Sequence, residues 1–106
     1  MKDYRPEIRS LLKTLKAFRF VPISINNGEE IIKAHSMTSR KFLEEIVATD
    51  DVNMVVQNNK GVKCSLWLVY GNEPGEVVCD YTDHPDLEKA CEEHYEKWEN
   101  KKQPTM

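Results

Sequence analysis

Long apolar runs are missing from this 106-residue chain. No stretch approaches the ~18–20 consecutive apolar residues that a membrane helix needs, which excludes a helical span. The opening MKDYRPEIRS lacks the apolar core of a secretory signal, so a cytoplasmic location is expected. Cysteine is scarce. Cys64, Cys79 and Cys91 are odd in number and widely spaced, which fits buried reduced thiols and not a secreted disulfide scaffold. Clustered positive charge is missing as well. The net charge is −3, and the acidic excess falls in the second half, from Glu73 to Glu99. Phosphate backbones require grouped Lys and Arg, so no nucleic-acid partner is expected. The phosphate-cradling pattern of a glycine-rich loop before Lys-Ser/Thr is absent. The one glycine-bearing stretch, GNEPGE at 71–76, has the chemistry of a tight turn.

What is present suits one compact domain over residues 1–100, with 101–106 (KKQPTM) as a flexible tail. Apolar residues make up 40% and charged residues 31%, enough for a core of its own. Ile8, Leu11, Leu12 and Leu15 recur at helical spacing from about Pro6 to Ala17, with Pro6 in the first turn. FRFVPISI at 18–25 alternates as a strand, and Pro22, lacking an N–H, places it at an edge or beside a bulge. Asn26-Asn27-Gly28 turns the chain. Residues 29–34 are open between strand and helix. Thr38 or Ser36 caps a second helix to about Ala48, striped by Phe42, Leu43, Ile46 and Val47.

Three β-rich runs follow at 52–57, 62–70 and 76–82. Asn58–Gly61 and Gly71–Gly75 join them as hairpins, which predicts an antiparallel meander. A last helix starts near Pro85 and reaches about Asn100, capped by Asp83 or His84. The order is α-β-α-β-β-β-α. It predicts an α+β fold with a largely antiparallel sheet of about four strands and helices mainly on one face.

Strand parity splits the meander into two faces. Val52, Met54, Val56, Val62, Cys64, Leu66, Leu68, Tyr70, Val77, Cys79 and Tyr81 form an apolar set for the core. The other set carries Val55, Trp67, Val69 and Val78 amid polar residues. A second face this apolar is covered by a helix, left as a modest exposed patch, or used as an interface, where Trp is favoured.

Two clusters carry possible chemistry. Cys79, His84, Cys91 and His94 have residue types that suit zinc, and Cys91 and His94 share a helix face. Their spacing departs from known zinc patterns, and a buried helical stripe with a capping His explains the same residues. Asp80, Asp83, Asp86 and His84 gather after the last strand, where helix capping accounts for part of the group and no nucleophile or oxyanion donor is evident. Catalytic residues and cofactors are therefore not expected.

The run LWLVYGNEPGEVVCDYTDHPDLE at 66–88, followed by a helix ending HYEKWE, resembles a segment of small uncharacterised phage and prophage proteins. The resemblance implies a small accessory protein of phage or bacterial origin and supplies no catalytic residues. The expectation is thus a non-enzymatic interaction domain. Its partner is a second copy of itself or a host or phage protein, met through Val55, Trp67, Val69 and Val78. Zinc binding by Cys79, His84, Cys91 and His94 is the alternative.

Overall fold

The computed structural model describes residues 4–70 and 77–102. Helix α1 (Arg5–Ala17) is followed by β1 (Val21–Asn26), β2 (Ile31–Lys33) and a single 3-10 turn at Ala34–Ser36. Then come α2 (Ser39–Ile46), β3 (Asp51–Gln57), β4 (Lys63–Val69), β5 (Val78–Tyr81) and α3 (Pro85–Lys102). The expected α+β order holds, but the sheet has five strands, in the antiparallel order β2-β1-β3-β4-β5. The extra strand is β2, so residues 31–33 extend and do not open a helix. Helix α3 runs two residues into the segment expected as a tail. The Gly71–Gly75 hairpin and residues 103–106 lie outside the described residues.

Each helix starts for an identifiable reason, and the end of α1 has one as well. Pro6 lies in the first turn of α1, where a missing N–H costs nothing. Thr38 caps α2 by accepting from Lys41 N at 3.2 Å, and His84 Nδ1 accepts from Asp86 N at 3.2 Å at the head of α3. Both satisfy donors that a helix leaves open at its first turn. Helix α1 ends with Phe20 N donating to Leu15 O and Arg19 N to Lys16 O, each at 2.9 Å. That is the paired closure of a Schellman motif, and it puts Arg19 at φ +70°.

Among the described residues the sheet contains two irregularities. Between Pro22 and Ser24 the β1–β3 register skips Ile23, and between Trp67 and Leu68 the β4–β5 register skips Cys79. Of the two alternatives expected for Pro22, an edge or a bulge, the bulge is the one observed, since β1 lies inside the sheet between β2 and β3. Pro22 flanks the first bulge, and β2 pairs only Ser24, Ile25 and Asn26, so the strand beside Pro22 has no β2 partner. A bulge turns the residues beyond it to the other face. Val21 is therefore exposed while Phe20 and Ile25 are fully buried.

One core lies between the sheet and the helices. The rows Val78–Leu68–Val52 and Tyr81–Leu66–Met54–Ile25–Ile32 cross the sheet on its inner side. Against them pack Ile8, Leu11 and Leu15 of α1, Phe42, Leu43 and Ile46 of α2, and Leu87, Ala90 and Cys91 of α3. Two members of the predicted core set are exposed instead, namely Val62, which precedes β4, and Cys79, the bulge residue.

Candidate functional site

The outer side of the sheet is the open one. Among the described residues no helix covers it, and Asn26, Asn53, Lys63 and Ser65 all face solvent. Strand register arranges its side chains in rows across the strands. One row is Asp80, Trp67, Asn53, Asn26 and Ile31. The next holds Ser65, Val55, Ser24 and Lys33, and a third Lys63, Gln57 and Val21. Val69 and Asp51 pair at the far end of β4.

Trp67 stands near the centre, 40% exposed. Its indole Nε1 donates to Asp51 Oδ2 at 3.0 Å, so the ring is held on the surface. Val55 and Val69 are half-buried beside it. Thr82 closes one side: its N donates to Ser65 O, and Ser65 N donates to Thr82 Oγ1, both at 2.9 Å. Three of the four residues expected for the patch therefore share this face. Val78 does not. The bulge at Cys79 sets it opposite the buried Leu68, where it packs partly against the core. Parity alone misassigned it because the count of two holds only along an uninterrupted ladder. Ile31 and Val21, 65% and 48% exposed, complete the apolar part of the face from strands whose register the sequence left open.

The residues of the zinc alternative are not gathered. Among the described residues, no group of three or more His, Cys, Asp or Glu side chains is placed to hold a metal ion. Cys79 is exposed on the bulge. His84 caps α3 and meets Phe20 edge-on at 5.7 Å. Cys91 is buried, and that burial, with the Glu92 charge behind it, pushes its thiol up to about 12. A thiol so raised stays protonated at neutral pH. The acidic group separates too: Asp80 faces outward beside Trp67, while Asp86 belongs to the capped first turn of α3.

A buried polar pair escaped the sequence reading. His94 Nε2 lies 3.2 Å from Glu7 Oε2, with both side chains almost fully buried between α3 and α1. The contact engages Nε2, and Nδ1 is the ring's other polar atom. That Nδ1 is buried without a hydrogen-bond partner. Nearby, the Tyr70 hydroxyl donates to Ile46 O at 2.8 Å. Burial, followed by the Glu7 charge, raises its phenol well above the ordinary range. Glu7 falls on the apolar stripe of α1, one residue before Ile8, and that misfit was the available signal.

Comparison with known proteins gives no match: no family model, no curated protein and no solved structure aligns with this chain. The geometry is what bears on function. No helix among the described residues is long and apolar enough to cross a membrane.

Proposed function

We propose that this chain is a non-enzymatic interaction domain that pairs with a second copy of itself through the open face of its sheet. The observation that carries the reading is Trp67, exposed and hydrogen-bonded in place at the centre of an uncovered sheet face. A pre-positioned aromatic loses little conformational freedom on docking and is the residue type that anchors interfaces. Around it Val55, Val69, Ile31 and Val21 alternate with Asn, Ser and Gln, the mixed character of an interface between proteins that also exist apart.

Charge placement favours self-pairing. On β4, Lys63 sits at one end, while Asp51, opposite Val69, sits at the other. A two-fold axis crossing β3 and β4 between the Val55–Ser65 and Asn53–Trp67 rows sets each Lys63 towards the partner's Asp51 end, as a self-complementary interface requires. The sheet edges offer less. Strand β2 has three residues, and β5 has four with a bulge, both devices that discourage edge-to-edge pairing. A face of five strands spans on the order of 500 Å² per protomer, near the lower limit of specific interfaces. The dimer is accordingly weak and concentration-dependent. An accessory role of this kind agrees with the phage-type likeness of residues 66–88.

Light scattering coupled to size exclusion, over a range of concentrations, tests the reading. The expected mass moves from monomer to dimer as concentration rises, and Trp67→Glu holds it at monomer with an unchanged unfolding midpoint. A wild-type chain that stays monomeric throughout, or a Trp67→Glu variant that still dimerises, overturns it.

A further inference from the structure

A groove of about 460 Å³ runs between α1 and α3 on the helix side of the molecule. Three cations line it, Arg9 and Lys13 from α1 and Lys97 from α3, against one carboxylate, Glu93. The hydroxyl residues Ser10 and Thr14 belong to the same walls. A local excess of positive charge stands out in a chain whose net charge is −3, where acids to neutralise it are plentiful. Among the described residues neither Arg9 nor Lys13 has a carboxylate within salt-bridge distance. Arg5, one turn earlier, does pair, with Glu44 at 3.0 Å.

Lys97 supplies a second sign. Glu93 precedes it by four residues, the spacing at which Glu and Lys pair along a helix. Its Nζ instead donates to the buried Thr14 Oγ1 at 3.2 Å, across the joint of the two helices. That contact fixes the third cation beside the other two, so less side-chain freedom is lost when a ligand docks. Arg9 and Lys13 stand four residues apart, ~6 Å along the helix axis, where like charges repel. An anion that bridges them removes the repulsion. Ser10 is half-buried next to Arg9, and its hydroxyl has no hydrogen-bond partner among the described residues. A guanidinium fork, two ammonium groups and a hydroxyl all donate to anionic oxygens. Together they exceed what one carboxylate accepts and match a diphosphate, whose charges and oxygens are spread along a short chain.

We infer that the α1–α3 groove binds the diphosphate group of a small molecule, with Arg9, Lys13 and Lys97 as counter-charges and Ser10 as a further donor. The walls are side chains of two helices, a construction that needs no glycine-rich loop. The group comes either as inorganic diphosphate or as the diphosphate of a nucleotide. The groove lies on the helix side and Trp67 on the open sheet face, so this site and self-association stand or fail separately.

Amide NMR shifts of the full chain, titrated with inorganic diphosphate and with ADP at an ionic strength matched by sodium chloride, test the inference. Both are expected to move the signals of Arg9, Ser10, Lys13, Thr14, Glu93 and Lys97 in a saturable way, and sodium chloride alone is not. Tighter binding of ADP identifies a nucleotide source, and equal or weaker binding an inorganic one. Arg9→Gln and Lys13→Gln change exposed side chains, and each is expected to weaken binding by up to about fivefold. Glu93→Gln removes the one opposing charge and is expected to strengthen binding. Lys60→Gln, the same loss of charge on the turn between β3 and β4, is expected to leave the affinity unchanged. Absence of saturable shifts in the groove, or Lys60→Gln weakening binding as much as Lys13→Gln does, overturns the inference.

Discussion

At the scale of the residue, Arg19 is the clearest departure from what its type prefers. It occupies the left-handed position that closes α1, with φ +70°, where a side chain crowds its own backbone and glycine does not. The motif survives because Phe20 and Leu15, both fully buried, close over it. Arg19 itself is exposed, so its side chain contributes little packing. Arg19→Gly is expected to stabilise the fold by about 0.5–1 kcal/mol, read as a higher urea midpoint with unchanged slope. Pro6, Thr38 and Asn58 show the opposite case, local chemistry that matches its position. Asn58 Oδ1 accepts from Lys60 N and Val62 N at 2.9 Å each, and Gly61 takes φ +83° to complete the turn. These features were legible in the sequence because a cap or a turn is decided within a few residues.

Between elements, the joint of α1 and α3 depends on polar atoms as well as on packing. Glu7 and His94 meet in the dry interior, and Lys97 Nζ donates to Thr14 Oγ1 at 3.2 Å further along the same joint. Removing one member of a buried pair leaves the other without its partner, which costs more than exchanging both for apolar groups. Glu7→Ala is expected to destabilise by about 3 kcal/mol or more. The double change Glu7→Leu with His94→Leu is expected to recover most of that loss. Chemical unfolding of the two variants and the wild type checks the ordering, and a double variant worse than Glu7→Ala would remove this account of the joint. The elements themselves followed from periodicity: three helices and the β3–β4–β5 meander came out within a few residues of their observed bounds. Strand β2 did not, because a three-residue strand carries too little pattern to separate from a helical turn.

Over the whole molecule, buried ionisable groups shape how stability responds to pH. Burial, with Glu92 adding to it, pushes the Cys91 thiol from 9.0 to about 12. Tyr70 shifts upward by the same cause, with Glu7 contributing. Between about 9 and 12 the unfolded chain has released the Cys91 proton while the native chain keeps it. The native state then binds more protons, so stability falls as pH rises through that window and is fully present below it. One such group gives a slope of up to about 1.4 kcal/mol per pH unit. Unfolding free energies measured from neutral to alkaline pH are expected to show this decline, and Cys91→Ala is expected to flatten it. An unchanged slope in the variant would assign the alkaline limb to the other raised groups, Tyr70, Tyr81 and Cys64, instead.

What the sequence by itself determined is the set of local elements and one buried face of the meander, since apolar spacing, caps and turn residues act over short stretches. It also placed Val55, Trp67 and Val69 together on the opposite side of the sheet. Tertiary structure alone decided that this side stays open, that Val78 turns to the inner face while Cys79 is exposed on a bulge, and that Glu7 finds His94 across 87 residues. The physical reason is the same in each case. Register, bulges and buried pairs are properties of two segments at once, and no single stretch of chain contains both partners.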